Sequence, residues 1–147
     1  MSRILAIDFG ERRIGFALSD PLGITAQGIP TIDTRKIKDV PAYIRNLVAE
    51  KDVVKLVVGM PRNMNGSIGA QGEKVKKFIR KLARQTEAEV IAWDERLTSM
   101  QSKKSMREMG TKQKKKEVTD RISATLILQS YLDSLRNKGK ESSSDEI

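Results

Sequence analysis

The chain contains no cysteine and no histidine. Without cysteine there is no disulfide, no thiolate zinc site and no cysteine nucleophile. Without histidine, ordinary zinc sites, Ser-His-Asp triads and imidazole acid–base chemistry are excluded. Any bound metal must be held mainly by oxygen, which points to Mg2+ or Mn2+. Aromatic residues make up only 4% of the chain, so there is no aromatic-rich platform for stacking RNA bases. Phe9, Phe16 and Trp93 are expected in the core. No apolar run approaches the roughly 18 residues of a membrane span, and the first residues lack a signal-peptide core. The expected location is the cytoplasm, with no membrane partner.

What is present is charge. Of 147 residues, 32% are charged and 38% hydrophobic, enough for a single modest core under a polar surface. The net charge is +9, which favours a polyanionic partner such as nucleic acid. That charge is concentrated in two places. Residues 71–86 carry six basic side chains against Glu73 alone, and residues 103–121 carry eight against Glu108, Glu117 and Asp120. Lys112, Lys114, Lys115 and Lys116 fall within five residues of an expected loop, 110–116, and repel one another unless an anion is near. A solvated helix face is the plain reading for 71–86.

The apolar pattern sets the fold class, α/β. Residues 3–9 form a short buried strand closing on Asp8, residues 14–19 a second, and 24–32 a third and weaker one. Their close spacing predicts an antiparallel meander. The rhythm then changes to a helix over 39–51, a strand over 53–58, a helix over 71–86 and a strand over 89–94. Two strand–helix alternations imply right-handed crossovers and parallel pairing. A further helix is expected from Thr98 or Ser99 to about Met109. The longest runs over 117–136, apolar on nearly every side. The domain therefore spans 1–136, and the polar segment 137–147 is expected to be a disordered tail.

Four acids stand out in so basic a chain. Asp8 ends the first apolar strand, where a charge is costly unless it is paired or metal-bound. Asp94 and Glu95 end the last strand, and Asp120 lies near the start of the final helix. In sheets with parallel strands, ligands gather at the carboxyl edge. Parallel first and fifth strands put Asp8 and Glu95 on that edge, and the last helix brings Asp120 over it. Converging carboxylates require a cation. Two divalent ions about 4 Å apart suit phosphodiester hydrolysis. Three of them have a plainer reading: Asp120 as a charge favoured by the helix dipole, Asp94 as a partner of Arg96, Asp8 as a turn residue.

Four ordered segments resemble the motifs of the YqgF, or RuvX, family of resolvases and pre-16S rRNA nucleases. They are Asp8 to Asp20, opening Asp-Phe-Gly; Val57-Val58-Gly59-Met60-Pro61 with Asn63, Gly66 and Phe78; Asp94 to Ser99; and Asp120 followed by residues 127–132. Asp-x-Gly alone is weak, but the four together cover residues 3–133 in the family's order and spacing. The resemblance implies an RNase H-like fold, a mixed five-stranded sheet of order 3-2-1-4-5 with helices on both faces. It implies a metal-dependent nuclease site on Asp8, Glu95 and Asp120, with Mg2+ or Mn2+ as the cofactor. It also implies maturation of the 5′ end of 16S rRNA, so that RNA is favoured over DNA. Arg13, Lys112, Lys114, Lys115 and Lys116 are the candidate nucleic-acid contacts. Related resolvases carry another acid one turn after the last Asp. Here that position is Ser123, and Asp20, Asp94 or Glu117 are the substitutes to consider.

Three other readings compete. A Holliday junction resolvase, acting in DNA recombination or repair, would cut two symmetric strands and call for a homodimer. A phosphotransferase of the actin, Hsp70 or sugar-kinase type also opens on Asp-x-Gly, but it needs two such domains. A non-catalytic nucleic-acid-binding factor would account for the lysines and leave Asp8, Glu95 and Asp120 without a role.

Overall fold

The computed structural model describes residues 2–97 and 114–145, and the side chains of all these except 114–120 and 138–145. Five strands form one sheet of order β3-β2-β1-β4-β5, the order expected. β1 (Arg3–Phe9), β2 (Arg13–Ser19) and β3 (Ala26–Asp33) pair antiparallel. β4 (Val53–Met60) joins β1 in parallel, and β5 (Glu89–Asp94) joins β4 in parallel. Helix α1 (Val40–Glu50) precedes β4 and α2 (Ala70–Gln85) follows it. The Asp39 side chain caps α1 by accepting the Ala42 N–H at 3.1 Å, and Pro41 suits its first turn.

The long helix α3 (Lys114–Asp145) begins and ends beyond its expected limits. Lys114, Lys115 and Lys116 form its first turn and not a loop. Lysine is a good helix former, and mutual repulsion does not override that preference. At the far end the backbone stays helical through Asp145, where a disordered tail from 137 was expected. Only Gly139 interrupts that segment as a helix breaker, and it has no proline. The helix expected over 98–109, and Lys112, lie outside the described residues.

Strand alternation gives the sheet two different faces. One carries Leu5, Ile7, Ile14, Phe16, Leu18, Leu56, Val58 and Met60, packed against Ile44 of α1 and Val75, Phe78 and Leu82 of α2. The other carries Ala6, Ala17 and Val57, covered by Ala124, Ile127, Leu128, Tyr131 and Leu132 of α3. Small residues on this second face let α3 approach closely. At Gly28 an added Cβ would lie 2.4 Å from Arg121 Cγ, so the arginine stem lies directly on the β3 backbone. Phe16 is fully buried. Phe9 and Trp93, also expected inside, are half-buried; Phe9 stacks on Phe78 at 4.4 Å and Trp93 on Tyr131 at 5.3 Å.

Candidate active site

Because β1, β4 and β5 run parallel, their carboxyl ends share one edge. Asp8 sits one residue past the Ile7–Val58 pair, so its neighbour on β4 is Gly59. On β2 its partner is Gly15. The carboxylate is thus flanked by glycine on both adjoining strands, on the face that α3 covers. Gly59 in turn pairs with Trp93 and Met60 with Asp94. Glu95 then opens a 3-10 turn, Glu95–Leu97.

The Glu95 side chain lies back over the sheet. A Cβ added at Gly59 would meet Glu95 Oε1 at 2.7 Å, Ile127 Cδ1 at 2.7 Å and Glu95 Cγ at 3.2 Å. A side chain at 59 would therefore have to push aside the Glu95 carboxylate or the Ile127 side chain. Asp8 and Glu95 both come to the glycine floor at the sheet's carboxyl edge, and Ile127 of α3 closes one side. Both carboxylates have interaction partners, as does Ser123.

The backbone places Asp120 in α3, four residues before Ala124 and seven before Ile127. Its side chain lies outside those described. The substitutes considered for a further acid are otherwise engaged where their side chains are described. Asp20 accepts backbone N–H bonds from Ile24 at 2.7 Å and Thr25 at 2.8 Å, closing the β2–β3 turn at the opposite end of β2. The Thr25 bond, followed by lesser ones, lowers its carboxyl pKa. Asp94 is paired as its plainer reading held. Its carboxylate receives Arg96 Nε and Nη2, the latter at 2.7 Å, and Arg62 Nε lies 3.9 Å away. The Arg96 hydrogen bonds hold the Asp94 carboxyl below its usual range. Glu117 lies in the first turn of α3, and its side chain is outside those described.

The approach of Arg62 to Asp94, and the way Glu95 leans on Gly59, went unseen in the sequence. Gly59 stood there as part of the second motif, with no partner assigned to it. Arg13, the first residue of β2, is half-buried at the same edge, backbone-paired with Asp33. Glu11, in the turn just before it, forms an ion pair with Lys74 of α2. An open cleft of about 800 Å3, lined by Arg45, Asp52, Gln85 and Glu87 among others, lies at the opposite end of the sheet and contains none of the candidate acids.

The donor set fits a hard divalent cation. It consists of carboxylates in a chain without histidine or cysteine, beside backbone left bare by Gly15 and Gly59. Among the described residues no group of three acidic side chains is complete enough to hold a metal. Asp8 and Glu95 stand at the same sheet edge.

The sheet order, the mixed pairing and the acids at the carboxyl edge define an RNase H-like fold. Thermus thermophilus RuvC, solved with a Holliday junction substrate, superposes with a TM-score of 0.59 at 10% identity, over 91% of this chain and 96% of that one. The fowlpox virus resolvase, solved with Holliday junction DNA, gives 0.54 at 16% identity over 90% and 98%. Residues 2–134 match the family described as "RuvX: Holliday junction resolvase". The chain belongs to the RuvX family, and is a nuclease, an enzyme that hydrolyses phosphodiester bonds. A Clostridium tetani protein named "Putative pre-16S rRNA nuclease" is 47% identical over 92% of this chain and 99% of its own length. One of the same name from Acetivibrio thermocellus is 51% identical over 94% and 98%. Among the described residues no helix is long and apolar enough to cross a membrane.

Proposed function

We propose that this chain is a divalent-metal-dependent nuclease of the cytoplasm that cuts structured RNA, maturing the 5′ end of pre-16S rRNA. The observation that carries the reading is the Glu95 carboxylate lying across bare Gly59 backbone, next to the strand end that carries Asp8. The names of near-full-length relatives supply the substrate. Asp8, Glu95 and Asp120 would hold Mg2+ or Mn2+. When bound, such ions neutralise phosphate charge and activate a water for in-line attack. The chain's own residues do the rest. The glycine at 59 lets Glu95 lie on the sheet backbone, with Ile127 closing one side, and Arg13 with Lys112, Lys114, Lys115 and Lys116 draws the RNA backbone toward the edge. RNA is preferred over DNA on the strength of the relatives' names, and a symmetric homodimer belongs only to the junction-cutting alternative.

The test is the purified protein with Mn2+ or Mg2+ on pre-16S rRNA fragments and on four-way DNA junctions, side by side. We expect metal-dependent cleavage of the RNA that Asp8→Asn removes. Junction cleavage with intact RNA would reassign the substrate. Binding without cleavage of either would make the chain a non-catalytic factor.

A further inference from the structure

The turn between β4 and α2, residues 61–69, supplies none of the candidate acids and touches the edge described above through Arg62. At its tip Met64 is 99% exposed. A single exposed apolar side chain is ordinary. What is not ordinary is how firmly the backbone beneath Met64 is held. Asn63 N–H donates to the Ser67 carbonyl and Gly66 N–H to the Asn63 carbonyl, each at 2.9 Å. The Asn65 carboxamide oxygen accepts from Ser67 N–H at 3.0 Å and from its hydroxyl. Asn63 Nδ2 reaches Ser67 Oγ at 2.9 Å. Gly66 adopts φ 88°, a left-handed value that favours glycine.

Two guanidiniums tie this turn to the catalytic edge. Arg62 Nη1 donates to the Gly66 carbonyl at 2.9 Å, and Arg96 Nη1 donates to the Met64 carbonyl at 3.4 Å. Both arginines also face Asp94. Arg96 directly follows Glu95, so Met64 is fixed one hydrogen bond away from the residue after a candidate metal ligand. The result is a rigid, positively flanked turn that presents a bare thioether at the cutting edge. Methionine is unbranched and polarisable, and apolar side chains of this size act as wedges between stacked bases. Phosphates on either side of such a base would meet Arg62 and Arg96.

We propose that Met64 is a wedge that packs against one nucleobase of the substrate RNA beside the scissile phosphate and holds it out of its stack. The inference rests on the nuclease reading and adds a residue that decides where the strand is cut. An unstacked base is cheapest in a loop or a flank that is not fully paired, so the wedge selects junctions between paired and unpaired RNA over continuous duplex.

The experiment uses the full chain with Asp8→Asn, to prevent cutting, and a pre-16S 5′-flank RNA carrying 2-aminopurine at successive positions around the cut. Binding should raise the fluorescence of one position as its base leaves the stack. Adding Met64→Ala should abolish that rise and weaken binding about tenfold, the loss of one buried apolar side chain. The salt dependence should not change, because no phosphate contact is lost. Met64→Leu should restore most of the affinity. Met64→Ala with unchanged affinity and fluorescence overturns the proposal. So does failure of the Asp8→Asn protein to bind the RNA, or a change in sedimentation with RNA binding intact, which would make Met64 a protein contact. Cleavage by the unmutated chain is assayed in parallel. If it cuts neither RNA nor junction the nuclease reading fails, whereas normal cutting with an inert Met64→Ala removes the wedge alone.

Discussion

The two faces of the sheet are built from different residues for different ends. The face under α1 and α2 is filled by large side chains, with Phe16, Leu5, Ile7, Leu56 and Leu82 all essentially buried. The face under α3 is laid with Ala6, Ala17, Gly28 and Gly59, and one helix supplies most of the bulk. Large residues give burial and hence stability. Small ones give closeness: they let a helix and a carboxylate lie on the backbone itself. On the function proposed, chemistry and stability are thereby separated onto opposite sides of the same strands, by neighbouring residues such as Ile7 and Asp8.

The sharpest way to break this division is a pair of substitutions, one per face. Asp8→Asn should lower turnover at saturating Mn2+ by about 10³-fold or more, the equivalent of several kcal/mol of charge stabilisation. It should shift unfolding stability by under about 1 kcal/mol. Phe16→Ala should do the reverse, costing about 3–5 kcal/mol of stability with turnover of the folded fraction retained. Turnover and denaturant unfolding of both proteins check this. A large stability loss in Asp8→Asn would merge the two roles.

Gly59→Ala probes closeness directly. The new methyl must displace Glu95 or Ile127, each 2.7 Å from its ideal position. Overpacking of that kind costs about 1–3 kcal/mol, and an ångström of misplacement at a reacting group costs about 10²-fold. Turnover should therefore fall far more than stability does. Equal activity in Gly59→Ala would show that Glu95 is free to move and is not held by the glycine.

A weaker effect is expected at the start of α3. Lys114, Lys115 and Lys116 belong to the first turn of that helix. Replacing all three by alanine should reduce the salt slope of binding by roughly 1–2, at about 0.7–0.9 per phosphate contact. A titration of binding against salt gives the slope directly. No change would leave these lysines as solvated helix residues.

The smallest effect concerns Asp94. Its carboxyl titrates below the ordinary 3.8 because Arg96 stabilises the charged form. The pairing is therefore fully present above about pH 4 and is lost as pH falls through the lowered folded value. Asp94→Asn should flatten this acid limb of stability slightly, Asp33 with its pKa of about 2 supplying another part of it. An unchanged limb, measured by thermal unfolding between pH 5 and 2, would mean that Asp94 contributes nothing through its charge.

Much of this architecture was legible because it rests on local pattern. β-branched runs such as residues 53–58 and the 3.6-residue stripe of α2 follow from side-chain periodicity alone, and five strands in order 3-2-1-4-5 followed from the family resemblance. Asp8 was legible as a charge closing an apolar strand. The Glu95–Gly59 contact was not, because no pattern along one strand tells which side chain leans over the next. The Asp94–Arg96–Arg62 cluster was half legible: the Arg96 partner is two residues away, the Arg62 partner thirty-two. The start of α3 was missed because lysine repulsion was weighed above lysine's helix propensity.

The position of α3 also has a consequence for the order of assembly. The β1–β3 meander is made from contacts close in sequence, whereas the Gln129 bond to the Ile24 carbonyl spans 105 residues. Loop closure over such distances is slow, and a chain made from its N-terminus acquires these contacts last. Asp8 is in place while most of the protein is still to be synthesised, but the helix carrying Asp120 cannot dock until nearly all of it exists. A ribosome making this protein would carry an unfinished cutting edge until the chain is almost complete.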